Sequence, residues 1–377
     1  MARSNFCVCR FCIGQTRISA SAQSHEPKKY TRPAGIGKAA VLVLPRRWSC
    51  RRASPPGACL INCTLREAVR ILAPVPGAMY TIAHLSDLHI PPLPAMRPWH
   101  LASKRLLGLY SWHHKWKAEH RQEILDQLRA QLQVLRPDHI CVTGDLTFTS
   151  HRKEVDQAFA WLESLSPPER ISLVPGNHDA YVPGSLQYVR QRWARWMQDD
   201  DSGDQQFPYL HRRGPVDIIG LSSAIAVLTP RTVGRLGRQQ LERLRRLIEE
   251  RADEKRPRLL LLHHPPQDGA TRWAKRLIDR RELQQLIEIQ GFDLVLHGHL
   301  HKPVQASLAG PRGPTPVFGA ASASARGQRY APAHFHLFHV HRQGDTTNIS
   351  VQHAHYNPAA GVFELQPEQA ILDPVQG

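Results

Sequence analysis

The stretch Tyr80-Thr-Ile-Ala-His-Leu-Ser-Asp-Leu-His89 joins an apolar run to an aspartate and a histidine, two side chains that bind metal ions. The same order, an apolar run followed by polar residues, returns four times along the chain. The later runs end in Thr143-Gly-Asp145, Pro175-Gly-Asn-His-Asp179, His263-His-Pro-Pro266 and His297-Gly-His-Leu-His301. Ligands bind at the carboxyl ends of strands in open α/β sheets, so we expect the five clusters to lie close together.

Helical patterns separate these runs. Apolar residues recur at helical spacing, for example at Ile124, Leu128 and Leu132, and strands that alternate with helices predict an α/β layered domain. The predicted buried strands span residues 80–86, 139–143, 171–174, 216–222, 259–262 and 292–296. After Gly298 the pattern predicts strands only, at 316–321, 333–340 and 348–355, and we expect these to join the sheet antiparallel.

Seven residues of the five clusters form a set of oxygen and nitrogen ligands without a thiolate: Asp87, His89, Asp145, Asn177, His263, His299 and His301. Seven ligands exceed the four of a tetrahedral zinc site. They suit two divalent ions about 3.5–4 Å apart that share a bridging carboxylate and activate water. The spacing of Asp87 and His89 places both side chains on one side of an extended backbone, and Gly144, Gly176 and Gly298 permit sharp turns.

The ordered set Asp-x-His, Gly-Asp, Gly-Asn-His-Asp, His-His-Pro and Gly-His-x-His resembles the calcineurin-like metallophosphoesterase superfamily, over about residues 80–325. The resemblance implies a four-layer αββα sandwich with two mixed sheets, which we assign to residues 79–356, and a dinuclear site of manganese, iron or zinc. It also implies a role for each ligand: Asp87, His89 and His301 hold the first ion, Asn177, His263 and His299 hold the second, and Asp145 bridges both.

Three positions near the site carry further expectations. His263 stands two residues before a proline, as the family's ligand does, and its neighbour His264 is the alternative. His178 matches the family's non-ligand histidine, which contacts the phosphoryl group and protonates the leaving oxygen. Asp179 either orients His178 as part of the catalytic machinery or caps a following helix.

The catalytic segments are similar to those of bacterial cyclic-nucleotide and glycerophosphodiester phosphodiesterases. The Asp-Arg-Gly extension of the protein Ser/Thr phosphatases is absent after Asp145, and His178 stands where UDP-diacylglucosamine hydrolases commonly carry arginine. We therefore expect a phosphodiesterase in which a metal-bound hydroxide attacks a small phosphodiester, such as a cyclic nucleotide or a glycerophosphodiester. The alternatives are a phosphoesterase or pyrophosphatase for lipid-linked substrates at a membrane surface, and a scaffold that has lost catalysis.

Residues 91–120, directly after His89, form an insertion rich in Trp, Leu, Lys, Arg and His, and we expect it to overhang the metal ions. Three roles are open: a lid packed against the domain, a cap that binds a nucleotide or another bulky phosphoester, and a segment that contacts anionic lipid. The helical stretch 186–197, with Trp193 and Trp196 among arginines, is a candidate for sharing such a role.

The net charge of +17 is concentrated at the N-terminus, because residues 1–78 contain 13 Lys and Arg against 2 Asp and Glu. We expect residues 1–78 to be an extension outside the working domain, from a translation start placed too far upstream. A disordered targeting arm and a metal-binding module around Cys7, Cys9 and Cys12 are the alternatives. Residues 79–377 carry only +6, which is no concentrated footprint for nucleic acid.

The remaining expectations concern location, partners and the C-terminal end. The sequence contains no run of about 18 apolar residues, the length that a membrane-spanning helix needs. We therefore expect a cytoplasmic protein with peripheral membrane contact through residues 91–120. Its expected partner is a small phosphoester substrate, and the sequence does not indicate an oligomeric state. The alternation of histidines at 334, 336, 339, 341, 353 and 355 predicts strands with exposed imidazoles, and residues 357–377 read as a loosely docked tail.

Overall fold

The computed structural model describes residues 79–371, apart from 205, 229–230, 254 and 344–345. The predicted N-terminal extension, residues 1–78, lies outside the described residues. The strands are β1 (Tyr80–Leu85), β2 (His139–Val142), β3 (Ile171–Leu173), β4 (Tyr209–Arg213), β5 (Val216–Gly220), β6 (Arg258–Leu261), β7 (Leu294–His297), β8 (Val304–Leu308), β9 (Thr315–Gly319), β10 (His334–Gln343), β11 (Thr346–Asn357), β12 (Val362–Leu365) and β13 (Gln369–Ala370). The α-helices are α1 (Arg105–Ser111), α2 (Gln122–Leu135), α3 (Arg152–Leu165), α4 (Ser185–Arg192), α5 (Arg238–Arg251) and α6 (Arg280–Gln290).

The strands form two mixed sheets. In the first sheet the order is β12-β11-β10-β1-β2-β3, with β13 also paired to β11. Strands β1, β2 and β3 run parallel, and β10 joins β1 antiparallel. In the second sheet the order is β4-β5-β6-β7-β9-β8, and β5, β6, β7 and β9 run parallel. The parallel strands of each sheet end at one edge, which is where the polar clusters follow them.

The alternation of side chains along the second sheet creates two apolar layers. Leu259 and Leu261 on β6 belong to a core shared with β1, β2, β10 and helices α2 and α3. Leu260 and Leu262, which point the other way, pack in a second core with helices α5 and α6. Helices therefore cover the outer face of each sheet, and the predicted four-layer αββα sandwich is confirmed.

Helices α2 and α3 show why these segments are helical. Four residues at helical spacing on α2 are buried, and the helix ends at Arg136, which has φ of +47°. At the start of α3, the side chain of His151 accepts from the backbone N–H of Lys153, and Glu154 accepts from the N–H of His151. Such reciprocal bonds satisfy the N–H groups that a helix start leaves unpaired.

Several predicted elements differ from the structure. Strand β9 was expected to be antiparallel, but it joins β7 in parallel and pairs antiparallel only with β8. Strands β12 and β13 pair with β11, so the described part of the expected tail belongs to the first sheet. Trp193 and Trp196 are fully buried in the core, so neither side chain is accessible to a substrate or a lipid.

Candidate metal centre

The predicted ligands lie together at the strand ends, where the two sheets meet. Asp87 and His89 follow β1, Asp145 follows β2, Asn177 follows β3, His263 follows β6, and His299 and His301 follow β7. All seven side chains are buried. The structure therefore brings together every residue that the sequence predicts as a metal ligand.

Three of these side chains, Asp87, His89 and His301, form one group. The Nδ1–H of His89 donates to the carbonyl of Thr147, which leaves His89 Nε2 as a bare nitrogen 3.4 Å from His301 Nε2. His301 Nε2 lies 3.2 Å from Asp87 Oδ1, and this buried oxygen accepts no hydrogen bond. An unsatisfied buried carboxylate oxygen beside imidazole nitrogens is a donor set that fits a divalent transition metal.

Asn177, His263 and His299 form a second group. His263 Nδ1 donates to the carbonyl of Thr143, so its Nε2 points to Asn177 Oδ1 at 3.2 Å. His299 Nε2 donates to the carbonyl of Lys275, and its Nδ1 lies 2.8 Å from the same amide oxygen. Two atoms that each carry a lone pair repel each other at this distance unless a cation lies between or beside them. This group therefore also fits a metal ion.

Asp145 lies between the two groups. Its Oδ2 is 3.2 Å from His263 Nε2, and it has a carboxylate oxygen within 4.8 Å of ring nitrogens of His263 and His299. A carboxylate oxygen of Asp145 also lies within 4.8 Å of ring nitrogens of His89 and His178. This position is the one that a bridging carboxylate occupies in a two-metal site.

The charges of the site are balanced internally. Burial raises the pKa of Asp87, but the neighbouring His301 lowers it more, to about 2. Burial lowers the pKa of His263, but the charge of Asp145 raises it to about 9. With this raised pKa, His263 holds a proton on Nε2. Metal ligation needs the neutral imidazole, so a bound metal ion would replace this proton.

The backbone of the ligand loops differs from the extended form that the sequence predicted. Asp87, His89, Asp145, His299 and His301 all have φ between +39° and +72°. In the first of these loops the reason is a pairing with the second: the N–H of Asp87 donates to the carbonyl of Gly144 and the N–H of His89 donates to that of Asp145. Left-handed non-glycine residues are uncommon, and they cluster at functional sites.

His178 and Asp179 have separate partners. His178 Nδ1 donates to the carbonyl of Phe148 at 2.7 Å, and its backbone N–H donates to Asp145. Asp179 accepts from the backbone N–H groups of Asp145, Thr147 and Gly176 instead of orienting the ring of His178. The carboxylate of Asp179 therefore fixes the ligand loop, and it does not cap a helix, because α4 begins only at Ser185.

The alternative between His263 and His264 has a geometric answer. His264 Nδ1 lies 2.8 Å from Ser223 Oγ, and its Nε2 donates to the carbonyl of Thr232. Both nitrogens of His264 therefore have partners outside the ligand groups, whereas His263 Nε2 points into them.

Sequence reasoning missed His120 as a residue of the site. One of its ring nitrogens lies within 4.8 Å of nitrogens of His89 and His301, and its buried Nε2 has no hydrogen-bond partner. Nδ1 lies 2.7 Å from Ser324 Oγ, and the ring stacks on Trp116. The signal was present in the sequence, because Trp116 and His120 are one helical turn apart in the segment that follows His89.

One side chain of the segment 91–120, Trp116, packs against the group formed by Asp87, His89 and His301. Trp116 lies 5.7 Å from His89 and 5.4 Å from His301, measured between ring centres. The guanidinium of Arg105 donates to the carbonyls of Thr149 and Ser150, which ties the segment to the domain. None of the helices within the described residues is long and apolar enough to cross a bilayer.

Residues 80–303 match the family model of the calcineurin-like phosphoesterases, and the chain belongs to this family. Membership indicates metal-dependent hydrolysis of phosphoric esters with two metal ions. No curated protein matches the sequence significantly.

Solved structures are similar to this chain at low sequence identity. Purple acid phosphatase PPD1 from yellow lupin (Lupinus luteus) seeds is 12% identical over 79% of this chain, with a TM-score of 0.53. The match spans only 55% of the lupin chain. A dimetal phosphatase from Danio rerio is 15% identical over 72% of this chain and 95% of its own, with a TM-score of 0.49.

Proposed function

We propose that the chain is a phosphodiesterase that hydrolyses a small phosphodiester, such as a cyclic nucleotide or a glycerophosphodiester. The observation that supports this is a set of aromatic side chains that pack beside the ligand cluster. Phe148 and Tyr181 lie 5.4 and 5.5 Å from the ring of His178, and Tyr330 lies 4.9 Å from the ring of His301. A diester carries one negative charge at phosphorus and an organic group on each side, and aromatic faces suit those groups.

In this proposal the cluster residues hold two divalent ions, as assigned above from the family resemblance. Such ions supply Lewis acidity and activate water for attack on phosphorus. Asp145 lies between the two ligand groups, and its position would keep them at a fixed separation. The backbone N–H of His178 donates to Asp145, so the catalytic histidine and the bridging carboxylate keep a constant geometry.

His178 supplies the proton for the leaving oxygen. Because its Nδ1 donates to a carbonyl, Nε2 is the nitrogen that can hold and transfer a proton. The alkoxide that leaves a dialkyl phosphodiester is strongly basic, and proton donation by a positioned group typically contributes 10²- to 10⁴-fold. Tyr181 stacks on the ring, which keeps its orientation fixed.

The test is hydrolysis of bis(p-nitrophenyl) phosphate beside p-nitrophenyl phosphate by the full chain, stripped of metal and reloaded with manganese. We expect the diester to be the better substrate, with no turnover in Asp145→Ala. His178→Ala should reduce turnover by about 10²-fold or more while metal content stays at the wild-type level. Preference for the monoester, or loss of metal in His178→Ala, would contradict the proposal.

A second candidate function, hydrolysis of a lipid-linked phosphoester at a membrane surface, is favoured by one observation. Trp99, Leu106, Leu107 and Tyr110, on the segment 91–120, expose between 53% and 63% of their surface. Apolar and aromatic side chains beside lysine and arginine are typical of interfacial segments. Flotation with phosphatidylglycerol vesicles separates the two candidates: binding that Leu106→Ser and Leu107→Ser abolish would favour the membrane function.

A further inference from the structure

Five histidines line one face of the first sheet, and none of them belongs to the ligand cluster described above. On β10 and β11 the register sets His334 opposite His355 and His336 opposite His353. On β1, His84 stands opposite His336. Residues two apart on a strand share a face, so the four imidazoles of β10 and β11 occupy the corners of one patch.

This patch is buried, contrary to the prediction of exposed imidazoles. His84, His334 and His336 have no exposed surface, and His353 and His355 are half-buried. The ring of His336 packs edge-on against Phe318 of the second sheet, at 5.5 Å between ring centres. The patch therefore lies between the two sheets.

Two nitrogens in the patch lack partners. His334 Nδ1 and His336 Nε2 are buried without a hydrogen bond. Burial lowers the pKa values of both rings well below the usual range, so both imidazoles are neutral and each has a nitrogen lone pair. Leaving a buried polar atom unpaired is costly, and native structures rarely do so without a ligand, an ion or a water.

The distances fit a common cation. Ring nitrogens of His334, His336 and His353 lie within 4.8 Å of one another. The unpaired nitrogen that a cation here satisfies is His336 Nε2, since His334 faces His353 through Nε2 and not through Nδ1. The distance from His334 Nε2 to His353 Nδ1 is 3.4 Å, which is long for a hydrogen bond. It matches the separation of about 3.3 Å between two nitrogens bound at ~2.0–2.1 Å to one tetrahedral zinc.

The surrounding hydrogen bonds also fit. His84 Nδ1 lies 3.2 Å from His336 Nδ1, and His84 Nε2 lies 2.9 Å from Thr143 Oγ1. If the two hydrogens run from His336 to His84 and from His84 to Thr143, His336 Nε2 presents its lone pair to the patch. Metal-ligating histidines usually donate their second N–H in this way, and the donation fixes the tautomer.

We propose that His334, His336 and His353 form a third cation site, which takes a borderline divalent transition metal of the zinc class. An all-imidazole set suits zinc, copper or nickel and disfavours magnesium or calcium, which prefer oxygen ligands. The site links β10 to β11 and does not depend on the reaction proposed for the ligand cluster.

The experiment counts zinc in the metal-stripped full chain after equilibration with buffered zinc. Wild type and His353→Gln are compared with His341→Gln, a matched control on the opposite face of β10. We expect His353→Gln to bind one zinc ion per chain fewer than wild type and His341→Gln to bind the same number. Equal zinc content in His353→Gln and wild type would overturn the proposal.

A direct observation covers the case in which His353→Gln does not fold. Crystals of the zinc-loaded wild-type chain should show an anomalous scattering peak at the zinc edge among His334, His336 and His353. Peaks at the Asp145 cluster without one at this patch would overturn the proposal, whatever the substrate of the enzyme is.

Discussion

Gly298 offers the sharpest test of the metal centre, because a single added methyl group acts directly on a predicted ligand. A Cβ at Gly298 would lie 1.8 Å from Ser86 Oγ and 2.5 Å from Asp87 Oδ2, whereas ordinary contact begins at 3.4 Å. The carboxylate of Asp87 must therefore move by about 0.9 Å. The oxygen in contact is Oδ2, which accepts from the backbone N–H of His299, and its displacement also moves Oδ1, the unpaired oxygen beside His301. Metal–ligand distances tolerate about ±0.2 Å, so Oδ1 can no longer serve as a ligand.

We expect Gly298→Ala to lower metal affinity by about 10- to 100-fold or more, with phosphoester hydrolysis falling in proportion at limiting metal. The overpacking should also reduce the free energy of unfolding by about 1–3 kcal/mol. The φ of Gly298 is not in the left-handed region, so the effect would be steric and not conformational. Metal content after equilibrium dialysis and urea unfolding measure the two effects separately.

Two further variants separate the metal effect from general destabilisation. Gly220→Ala brings a Cβ within 2.2 Å of the Tyr209 ring, away from the ligands, and should lose stability while keeping its metal. Ser86→Ala combined with Gly298→Ala removes the closest contact but leaves the clash with Asp87, so stability should recover partly and metal affinity should not. Wild-type metal affinity in Gly298→Ala would refute the assignment of Asp87 as a ligand.

Three other perturbations have defined outcomes. His120→Ala should weaken metal binding by about tenfold in competition with a chelator, and an unchanged affinity with a raised KM would place His120 on the substrate instead. Asp179→Asn places an amide N–H₂ against backbone N–H donors and should lower the free energy of unfolding, measured in urea, by about 2–4 kcal/mol. A loss of turnover at unchanged stability would contradict the role of Asp179 in fixing the ligand loop. Burial raises the pKa of Asp199, but hydrogen bonds from Arg251 and from backbone N–H groups lower it below its usual range. Its stabilising effect is therefore full above about pH 4 and lost as the pH falls, so the deficit of Asp199→Asn should shrink between pH 7 and pH 3.

The convergence of the ligands was predictable because it follows from two local signals. Five of the six predicted buried strands are short apolar runs followed within a few residues by a metal-binding side chain. Parallel strands place their carboxyl ends on one edge, so Asp87, Asp145 and Asn177 meet without any knowledge of distant contacts. The second sheet contributes His263 and His299 by the same rule.

The backbone of these ligands was not predictable, because distant segments determine it. The spacing of Asp87 and His89 indicated extended chain, yet both have positive φ, since their N–H groups bond to the loop at Gly144 and Asp145. The role of Asp179 was hidden for the same reason. Most of its donors lie in that same loop, more than 30 residues earlier in the chain.

The burial of the histidines on β10 was also not predictable, because it too depends on distant segments. Period-two alternation predicts that His334 and His336 share a face, and the register confirms it. It does not say whether that face meets water or another sheet. The answer depends on β10 lying between β1 and β11, with Phe318 of the second sheet packed against it, and this arrangement depends on the order of all the strands. Exposed imidazoles can bond to water and need no other partner. Buried imidazoles with unpaired nitrogens need a partner within the protein or a bound ion, which is why this patch is a candidate cation site.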